Sequence, residues 1–375
     1  MLALPVFAIA FVQYIQYVIP IGGYGAIIIK GLFIASLTGI NIFWVKASGR
    51  VNDLLTMIKL IPLMILIIAG FAYLMDYPSI FIQNYSPFAP LGFDQFGTAL
   101  VIVFWAYAGF ELGTLPAAEV KDPRRTIPRA IIIGMVCCTF FYLATNFVVF
   151  GVVNWKILAT STTPWILAGV ALLGTFGSAM MLTGALFSVT GGDESGMLGT
   201  ARLSYAMSIE GLFPRLFSRI HPKYGTPVIA LLVQGIIAFI LSIYTDLTHL
   251  ITFAVLNLAF VFLLTSCALI ILKDSSKKNL PGQNILPWVG ILVSLYLIFI
   301  TPWLAKIIGI IVILIGIPLY VIFSPKQDIR HLKEEFLSEE AIFLRQIGHK
   351  YHYLANFIQI LHKAYKRLRG LLIIG

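Results

Sequence analysis

Ten long apolar segments follow one another along the chain, separated by short polar stretches. They occupy residues 1–18, 24–45, 51–74, 97–118, 127–153, 176–208, 226–244, 247–272, 285–302 and 304–323. About 20 apolar residues cross a bilayer as a helix, and a single lipid-exposed segment satisfies its own backbone hydrogen bonds only as an α-helix. The runs lack the alternation of β-barrel strands. The pattern therefore predicts an all-α polytopic membrane protein with about ten spanning helices.

One apolar stretch, at 164–174, is too short to span a bilayer. We expect it to lie flat at the membrane surface or to re-enter the membrane from one side. The composition supports a membrane protein, because 59% of the 375 residues are hydrophobic and only 11% are charged, against about a quarter charged in soluble domains. This excludes a soluble enzyme, a disordered protein and a nucleic-acid binder.

The basic residues between the segments predict the orientation of the bundle. Thirteen of them fall on one side and three on the other. The larger group is Lys46, Arg50, Lys121, Arg124, Arg125, Arg129, Arg202, Arg215, Arg219, Lys223, Lys273, Lys277 and Lys278, and the smaller is Lys30, Lys156 and Lys306. Since basic loops stay cytoplasmic, we expect the larger group and the C-terminus inside the cell, in a multi-pass protein of the plasma membrane.

The composition changes after residue 323, which divides the chain into a transmembrane domain, 1–323, and a polar tail, 324–375. The tail has one apolar helical stripe: Leu344, Ile347, Tyr351, Leu354, Ile358, Leu361, Tyr365 and Leu368. Basic residues cluster near its end at 363–369. The tail is therefore a candidate for a cytoplasmic amphipathic helix on the anionic inner leaflet. Packing under the bundle, or a short coiled coil, is the alternative.

The three cysteines, Cys137, Cys138 and Cys267, all lie in apolar runs. Their positions match neither a disulfide framework nor the spacing of metal ligands. We expect no metal and no cofactor.

Four ionisable residues lie within apolar segments: Lys59, Glu111, Asp193 and Glu194. Such residues cost about 2.5–3.5 kcal/mol on insertion scales and are therefore functional candidates. Lys59 lies about two turns inside its segment. A buried lysine can carry a proton, and its ammonium can replace a bound monovalent cation. The alternatives are a lysine that snorkels to the interface or one in a structural ion pair.

Glu111 follows a weak point in its helix. Ala106, Tyr107, Ala108 and Gly109 place small residues around one aromatic. A broken helix at membrane depth is tolerated where it lines a cavity or is buried in protein, and its free backbone groups can bind the charged ends of a substrate. Trp105 and Tyr107 would flank such a site. The alternative is that the glycines allow close helix packing and the aromatics belong to the core.

Asp193 and Glu194 lie in a segment rich in small residues. On a helix, Gly192, Asp193 and Gly196 share one face, which we expect to approach the site. The alternative places the two acids nearer the cytoplasmic mouth. Neither a nucleophile with its base nor a P-loop accompanies these groups, so an enzyme is not expected.

Three stretches resemble the amino acid–polyamine–organocation permeases. FWAYAGFELGTLPAAEVKDPRRTIPRAI at 104–131 is similar to the sixth helix of that family and the loop after it, and VNDLLTMIKLIPL at 51–63 to the fifth helix. GTARLSYAMSIEGLFPRLFSRIHPKYGTPVIAL at 199–231 resembles the region from the eighth helix to the ninth. The resemblance runs from residue 1 to about 325. It implies a bundle of two inverted five-helix repeats, an architecture long associated with transporters.

The resemblance also implies roles for individual residues. Trp105 matches a gating aromatic over the substrate, 106–109 the unwound substrate-binding segment, and Glu111 a carboxylate below it. Lys59 matches a proton-linked lysine that replaces a sodium site. Gly192 to Gly196 match the helix that faces this lysine, and Asp193 and Glu194, which replace uncharged residues, suggest a pair between Lys59 and an acid.

The first segment resembles the third helix of the family, so the first two family helices have no counterpart here. A misassigned start codon, a separate chain or a decayed gene would each account for this.

From these residues we expect a secondary active transporter for amino acids or related amines, working by alternating access and coupled to protons or to exchange. The alternative is a truncated, non-transporting scaffold or relic, or one half of a split transporter. A channel would need polar rings along a pore, which the sequence lacks. The expected partners are a small-molecule substrate, the proton and the lipid bilayer. Nucleic acid is not expected, and the sequence leaves the oligomeric state open.

Overall fold

The structure is a computed structural model that describes residues 2–43, 45–90, 92–114, 120–271 and 285–323. The predicted amphipathic tail and the basic residues at 273–278 lie outside the described residues. The helices are α1 (Ala3–Val18), α2 (Gly23–Phe43), α3 (Val45–Asp76), α4 (Pro78–Tyr85), α5 (Phe96–Trp105), α6 (Pro123–Val152), α7 (Trp155–Thr160), α8 (Pro164–Ile209), α9 (Val228–Tyr244), α10 (Leu247–Ile271), α11 (Leu286–Ile300) and α12 (Trp303–Phe323). Two 3-10 turns occupy Phe110–Thr114 and Arg215–Ser218.

Each of the ten apolar segments is helical over most of its described residues, which confirms the all-α prediction. Six helices are long and apolar enough to cross a membrane: those centred on α2, α3, α5, α6, α8 and α10. Helices α1 and α9 are apolar but have only 16 and 17 residues. Helices α11 and α12 pass the same test as a pair bent by 115°. Ten separate crossings therefore remain a prediction.

The bend between α11 and α12 has a local cause. Thr301 precedes Pro302, and the ring of a proline drives the residue before it out of the helical region. Thr301 accordingly ends α11 with φ −60° and ψ 137°. The Lys306 amine on α12 reaches back across the bend and donates to the Phe299 carbonyl at 2.6 Å, which satisfies a carbonyl left without a helical partner.

Helix α8 is interrupted at Gly174, where φ is 60° and ψ is −142°. The apolar pattern predicts a separation between 164–174 and 176–208 at this place, and that separation is confirmed. The chain folds back so closely that a Cβ on Gly177 would lie 1.9 Å from the Gly169 carbonyl oxygen. The position of the short arm relative to the bilayer remains a prediction.

The long arm of α8 is the centre of the bundle and packs against α1, α2, α3, α6 and α9. A first core forms between α1, α2, α8 and α9 around Leu4, Leu37, Met197 and Leu231. A second joins α3, α6 and α8 around Leu66, Val148, Ile166 and Met181. A third joins α1, α5 and α10 around Val6, Val101 and Val255. These cores hold α1, α3, α5, α6 and α8 around the candidate site.

Candidate functional site

Helix α5 stops at Trp105, as the weak point in the sequence predicts. The next three amides, from Ala106 to Ala108, bond to carbonyls three residues back at 3.0–3.1 Å, so the last turn tightens. Gly109 then takes φ 112°, and a 3-10 turn follows. The helix is therefore broken at 106–109, at a point where an intact α-helix would have crossed the membrane.

The Glu111 carboxylate forms a hydrogen bond within this break. One of its oxygens accepts a hydrogen bond from the Gly109 amide at 2.9 Å. A carboxylate that accepts from a backbone amide forms a charge-assisted hydrogen bond. Glu111 therefore stabilises the conformation of the unwound segment through a hydrogen bond inside that segment.

Tyr142 on α6 supports the break from the other side. Its hydroxyl donates to the Ala106 carbonyl at 2.7 Å, and its ring meets the Tyr107 ring edge to face with centroids 5.2 Å apart. Edge-to-face rings stabilise each other through their quadrupoles. Tyr142 thus ties the end of α5 to α6.

Tyr142 also lines a cavity of about 220 Å³ between α1, α3, α6 and the two arms of α8. This volume is far more than one buried water needs. Most of the wall is apolar, and the polar groups that reach it come from Tyr14, Lys59, Tyr142, Thr145 and Ser188. A pocket that is mostly apolar with a few convergent polar groups is typical of small-molecule sites.

Lys59 reaches the cavity because of its register on α3. Lys59, Pro62 and Leu63 share one helical face, and all three line the cavity. This face lies against α8, where a Cβ on Gly184 would come within 2.8 Å of the Pro62 ring. The close approach of the two helices places the lysine beside the cavity.

No described carboxylate lies within ion-pair distance of the Lys59 amine. The suggested pair between Lys59 and an acid is therefore not formed between described residues in this structure. Asp193 and Glu194 are instead buried in α8 one turn beyond the cavity-lining Val189. Asp193 is 0% exposed, and neither of its carboxylate oxygens has a hydrogen-bond partner.

Gly192 and Gly196 pack against α1, as their shared face allows. A Cβ on Gly192 would lie 3.0 Å from the Phe7 ring, and one on Gly196 would lie 3.6 Å from Leu4. The Phe7 ring in turn lies 5.7 Å from the Trp105 ring. The Phe7 ring of α1 therefore lies between Gly192 of α8 and Trp105 at the end of α5.

The predicted residues consequently fall into three neighbouring groups. Lys59 lines the cavity. The segment 105–111 forms the break, which Tyr142 connects to the cavity. Residues 192–196 belong to the part of α8 that packs against α1. Among the described residues, Lys59 is the one predicted site residue in the cavity wall. Three residues of the cavity wall, Tyr14, Tyr142 and Trp165, were not predicted from the sequence as site residues. A tyrosine inside an apolar span is a usable signal, because its hydroxyl needs a buried partner.

The chain is similar to known transporters. A model of the family described as "Amino acid permease" matches residues 1–337. Branched-chain amino acid permease BcaP of Bacillus subtilis is 26% identical over 302 residues, which cover 79% of this chain and 64% of the relative. Methylthioribose transporter of the same organism is also 26% identical, over 80% of this chain and 64% of the relative. Putrescine transporter PotE of Escherichia coli is 23% identical over 79% of this chain and 71% of the relative. The chain thus spans about two thirds of these curated relatives.

Proposed function

The chain belongs to the amino acid permease family, and from that premise we propose that it moves amino acids or related amines across the plasma membrane by alternating access. One helix bundle rocks against the other around a site near the middle of the membrane. The observation that carries this proposal is the broken helix α5, tied through Tyr142 to a cavity that contains a lysine.

The break in α5 supports a transport function because an unwound segment at membrane depth is stable only in particular surroundings. Exposed backbone groups are costly in lipid, so such breaks persist where they line a cavity or are buried in protein. Because the amides of 106–109 are already bonded, the carbonyls of Tyr107 and Ala108 would be the backbone groups offered to the ammonium end of a substrate. Trp105 would close over it, since its ring already rests against Phe7 of α1.

The identity of the substrate is proposed only as a class. The printed names of the similar proteins cover branched-chain amino acids, methylthioribose and putrescine, so the family alone does not select among them. The cavity has one cationic group, Lys59, among the residues that line it. An ammonium in a mostly apolar wall favours a substrate with a carboxylate, such as an amino acid.

Lys59 is the proposed coupling residue. Lys59 lines the cavity, and its amine has no described carboxylate within 4 Å. A lysine removed from bulk water changes its charge more readily than an exposed one. Loss or gain of its proton would alter the charge of the cavity wall, and this would link the proton gradient to the choice between inward-facing and outward-facing states.

The test is uptake by the purified 375-residue chain in proteoliposomes. Radiolabelled leucine, lysine and putrescine are supplied with and without an inward proton gradient. We expect saturable uptake of at least one of them that a gradient accelerates. Absence of uptake and of exchange for all three, from a chain shown to be folded, would contradict the proposal.

Lys59→Met separates coupling from exchange. We expect this variant to lose the acceleration by the proton gradient and to keep exchange of substrate between the two sides, with a raised KM for substrates that have a carboxylate. Lys156→Met is the matched control, because Lys156 is an exposed lysine of α7 outside the cavity wall. Gradient-driven uptake that survives in Lys59→Met would assign coupling to another group.

A further inference from the structure

The interface of α2, α8 and α9 contains buried polar groups that the proposed site does not use. Asp193, Asn41 and Gln234 are at most 1% exposed, and each has at least one oxygen without a hydrogen-bond partner. Leaving a buried acceptor unsatisfied is costly. Three such side chains on helices that pack on one another, one of them with a carboxyl group, are a reason to look for a ligand that donates hydrogen bonds.

These groups are connected by contacts across three helices. Gln234 on α9 donates through its side-chain amide to the Met197 carbonyl of α8 at 2.8 Å. Thr38 on α2 lies 3.7 Å from the Met197 sulfur, and a Cβ on Gly235 would lie 2.9 Å from the Thr38 hydroxyl. Met197 is one turn after Asp193 on α8, and Asn41 is one turn after Thr38 on α2.

The buried face of α8 that carries Asp193 continues toward the C-terminal end of the helix, through apolar Met197 and Ala201 to Ser204 and Ser208. Asp193, Met197, Ala201, Ser204 and Ser208 recur at spacings of three and four, and all five are buried. Ser208 donates to the Pro214 carbonyl at 2.7 Å, beside the basic segment 215–223 that is predicted to be cytoplasmic. From Asp193 to Ser208 the helix rises about 22 Å at 1.5 Å per residue. This reaches from the predicted cytoplasmic end well into a hydrocarbon core about 30 Å thick.

We propose that Asp193 is a second proton-binding group of the transporter, besides Lys59, and that it exchanges its proton with the cytoplasm through water held beside a set of polar groups that we call the α2/α8/α9 seam (Thr38, Asn41, Asp193, Ser204, Ser208 and Gln234). The proposal rests on the proposed transport function and deepens it. A seam water donates its proton to a carboxylate oxygen of Asp193, where an O–H bond forms. On release that bond breaks and the proton returns to water.

Water molecules that carry a proton through the seam need acceptor oxygens along their path, and the unpartnered oxygens can supply them. Ordered water in protein interiors bonds to otherwise unsatisfied polar groups, and the free oxygens of Asn41 and Gln234 can each accept from a water. A neutral carboxylic acid costs far less to bury than a carboxylate. Asp193 therefore rests protonated and releases its proton when the seam opens to water.

The charges around the seam are as follows. The titratable or charged groups on the described side chains of α8 and of the elements packed against it are Tyr14, Tyr17, Tyr24, Lys30, Lys59, Tyr73, Asp76, Arg124, Arg125, Arg129, Cys137, Cys138, Tyr142, Glu194, Arg202, Tyr205, Arg215 and Tyr244. Lys30 donates to the Ser242 carbonyl at the opposite end of α9, and Lys59, Tyr14 and Tyr142 line the cavity.

The test is infrared spectroscopy of the full chain in nanodiscs. At neutral pH we expect a C=O stretching band of a protonated carboxylic acid that disappears in Asp193→Asn, returns in Asp193→Glu and is unchanged in Asp246→Asn, whose carboxylate is exposed on the loop before α10. A wild-type spectrum without this band would mean an ionised Asp193 and would overturn the proposal.

Exchange of the band into D₂O tests the seam. Asn41→Leu and Gln234→Leu each remove an acceptor, and we expect them to slow the isotope shift about tenfold, the equivalent of one lost hydrogen bond. Thr252→Val, a buried polar change on α10 outside the seam, should leave the rate unchanged. Equal exchange rates in all these variants would exclude the seam as the path.

Transport assays keep this inference separable from the proposed function. If the wild-type chain exchanges substrate and Asp193→Asn still responds fully to a proton gradient, the proton-binding role is wrong while the permease stands. If no substrate moves in any variant, the permease proposal fails, and the infrared band and its exchange still decide whether Asp193 holds a proton.

Discussion

At the scale of residues, small side chains set the distances between helices of this bundle. Interfaces between membrane helices use glycine because it lets backbones approach closely. Gly70 on α3 is the sharpest example, because a Cβ there would lie 2.1 Å from a methyl group of Val148 on α6. Val148 is fully buried and belongs to the second core. A β-branched side chain has few rotamers into which it can move aside.

Gly70→Ala is therefore expected to destabilise the protein by about 1–3 kcal/mol, the usual effect of overpacking. The measurement is the thermal unfolding midpoint in detergent. Gly134→Ala on α6 is the control, since nothing lies within 4 Å of its Cβ position, and it should be neutral or slightly stabilising. Adding Val148→Ala to Gly70→Ala should cost less than the sum of the two single changes. Strict additivity would mean that the two residues do not compete for the same space.

At the scale of elements, the break in α8 shapes the cavity. The short arm before Gly174 contributes Trp165 to the cavity wall, and the long arm after it contributes 181–189. Both arms can line one cavity because the chain reverses at a residue with φ 60° and ψ −142°. A side chain other than hydrogen is strained in that region.

Gly174→Ala should cost about 1–3 kcal/mol, the typical penalty for a non-glycine residue in a sparsely populated conformation. We expect a lower unfolding midpoint and, in uptake assays, a raised KM because Trp165 shifts with its arm. Gly39→Ala, within helix α2 and free of neighbours within 4 Å, is the matched control; it should leave KM unchanged and the unfolding midpoint unchanged or slightly raised. If Gly174→Ala behaves like this control, the reversal does not depend on the glycine.

At the scale of the whole molecule, the basic residues and the contacts agree on two ends of the bundle. Thr226, just before α9, donates to the Ile42 carbonyl near the end of α2, and this end includes the basic segment 215–223. Lys30 donates to the Ser242 carbonyl at the other end. Helices α2 and α9 are thus antiparallel, and the residues that the charge pattern separates lie at opposite ends of this pair.

Cysteine labelling in whole cells tests the predicted orientation. Single cysteines replace Arg219 or Lys156 in a chain whose three native cysteines are alanine. We expect a membrane-impermeant maleimide to label Lys156→Cys in intact cells and Arg219→Cys only after permeabilisation, because basic loops stay in the cytoplasm. The reverse pattern would invert the orientation and with it the side to which the α2/α8/α9 seam opens.

Much of this architecture was readable from local pattern. The apolar runs predicted every long helix, since each helix must present about 20 apolar residues to lipid on its own. Two interruptions were also predicted, at 106–109 and between the arms of α8, because glycine, proline and aromatic residues act on the backbone close to themselves in sequence. Family membership followed from short stretches whose order along the chain is specific.

The sequence by itself therefore determined the class of fold, the helices, their breaks and the intramembrane charged residues that are candidates for a function. Only the tertiary structure decided which of these meet. Lys59 lies at a cavity that Tyr142 and Trp165 also line. The Glu111 carboxylate accepts from the Gly109 amide in its own turn. The acids of α8 lie outside ion-pair distance of Lys59. The reason is physical: local preferences act over a few residues, whereas the faces that helices present to one another depend on packing between segments a hundred residues apart.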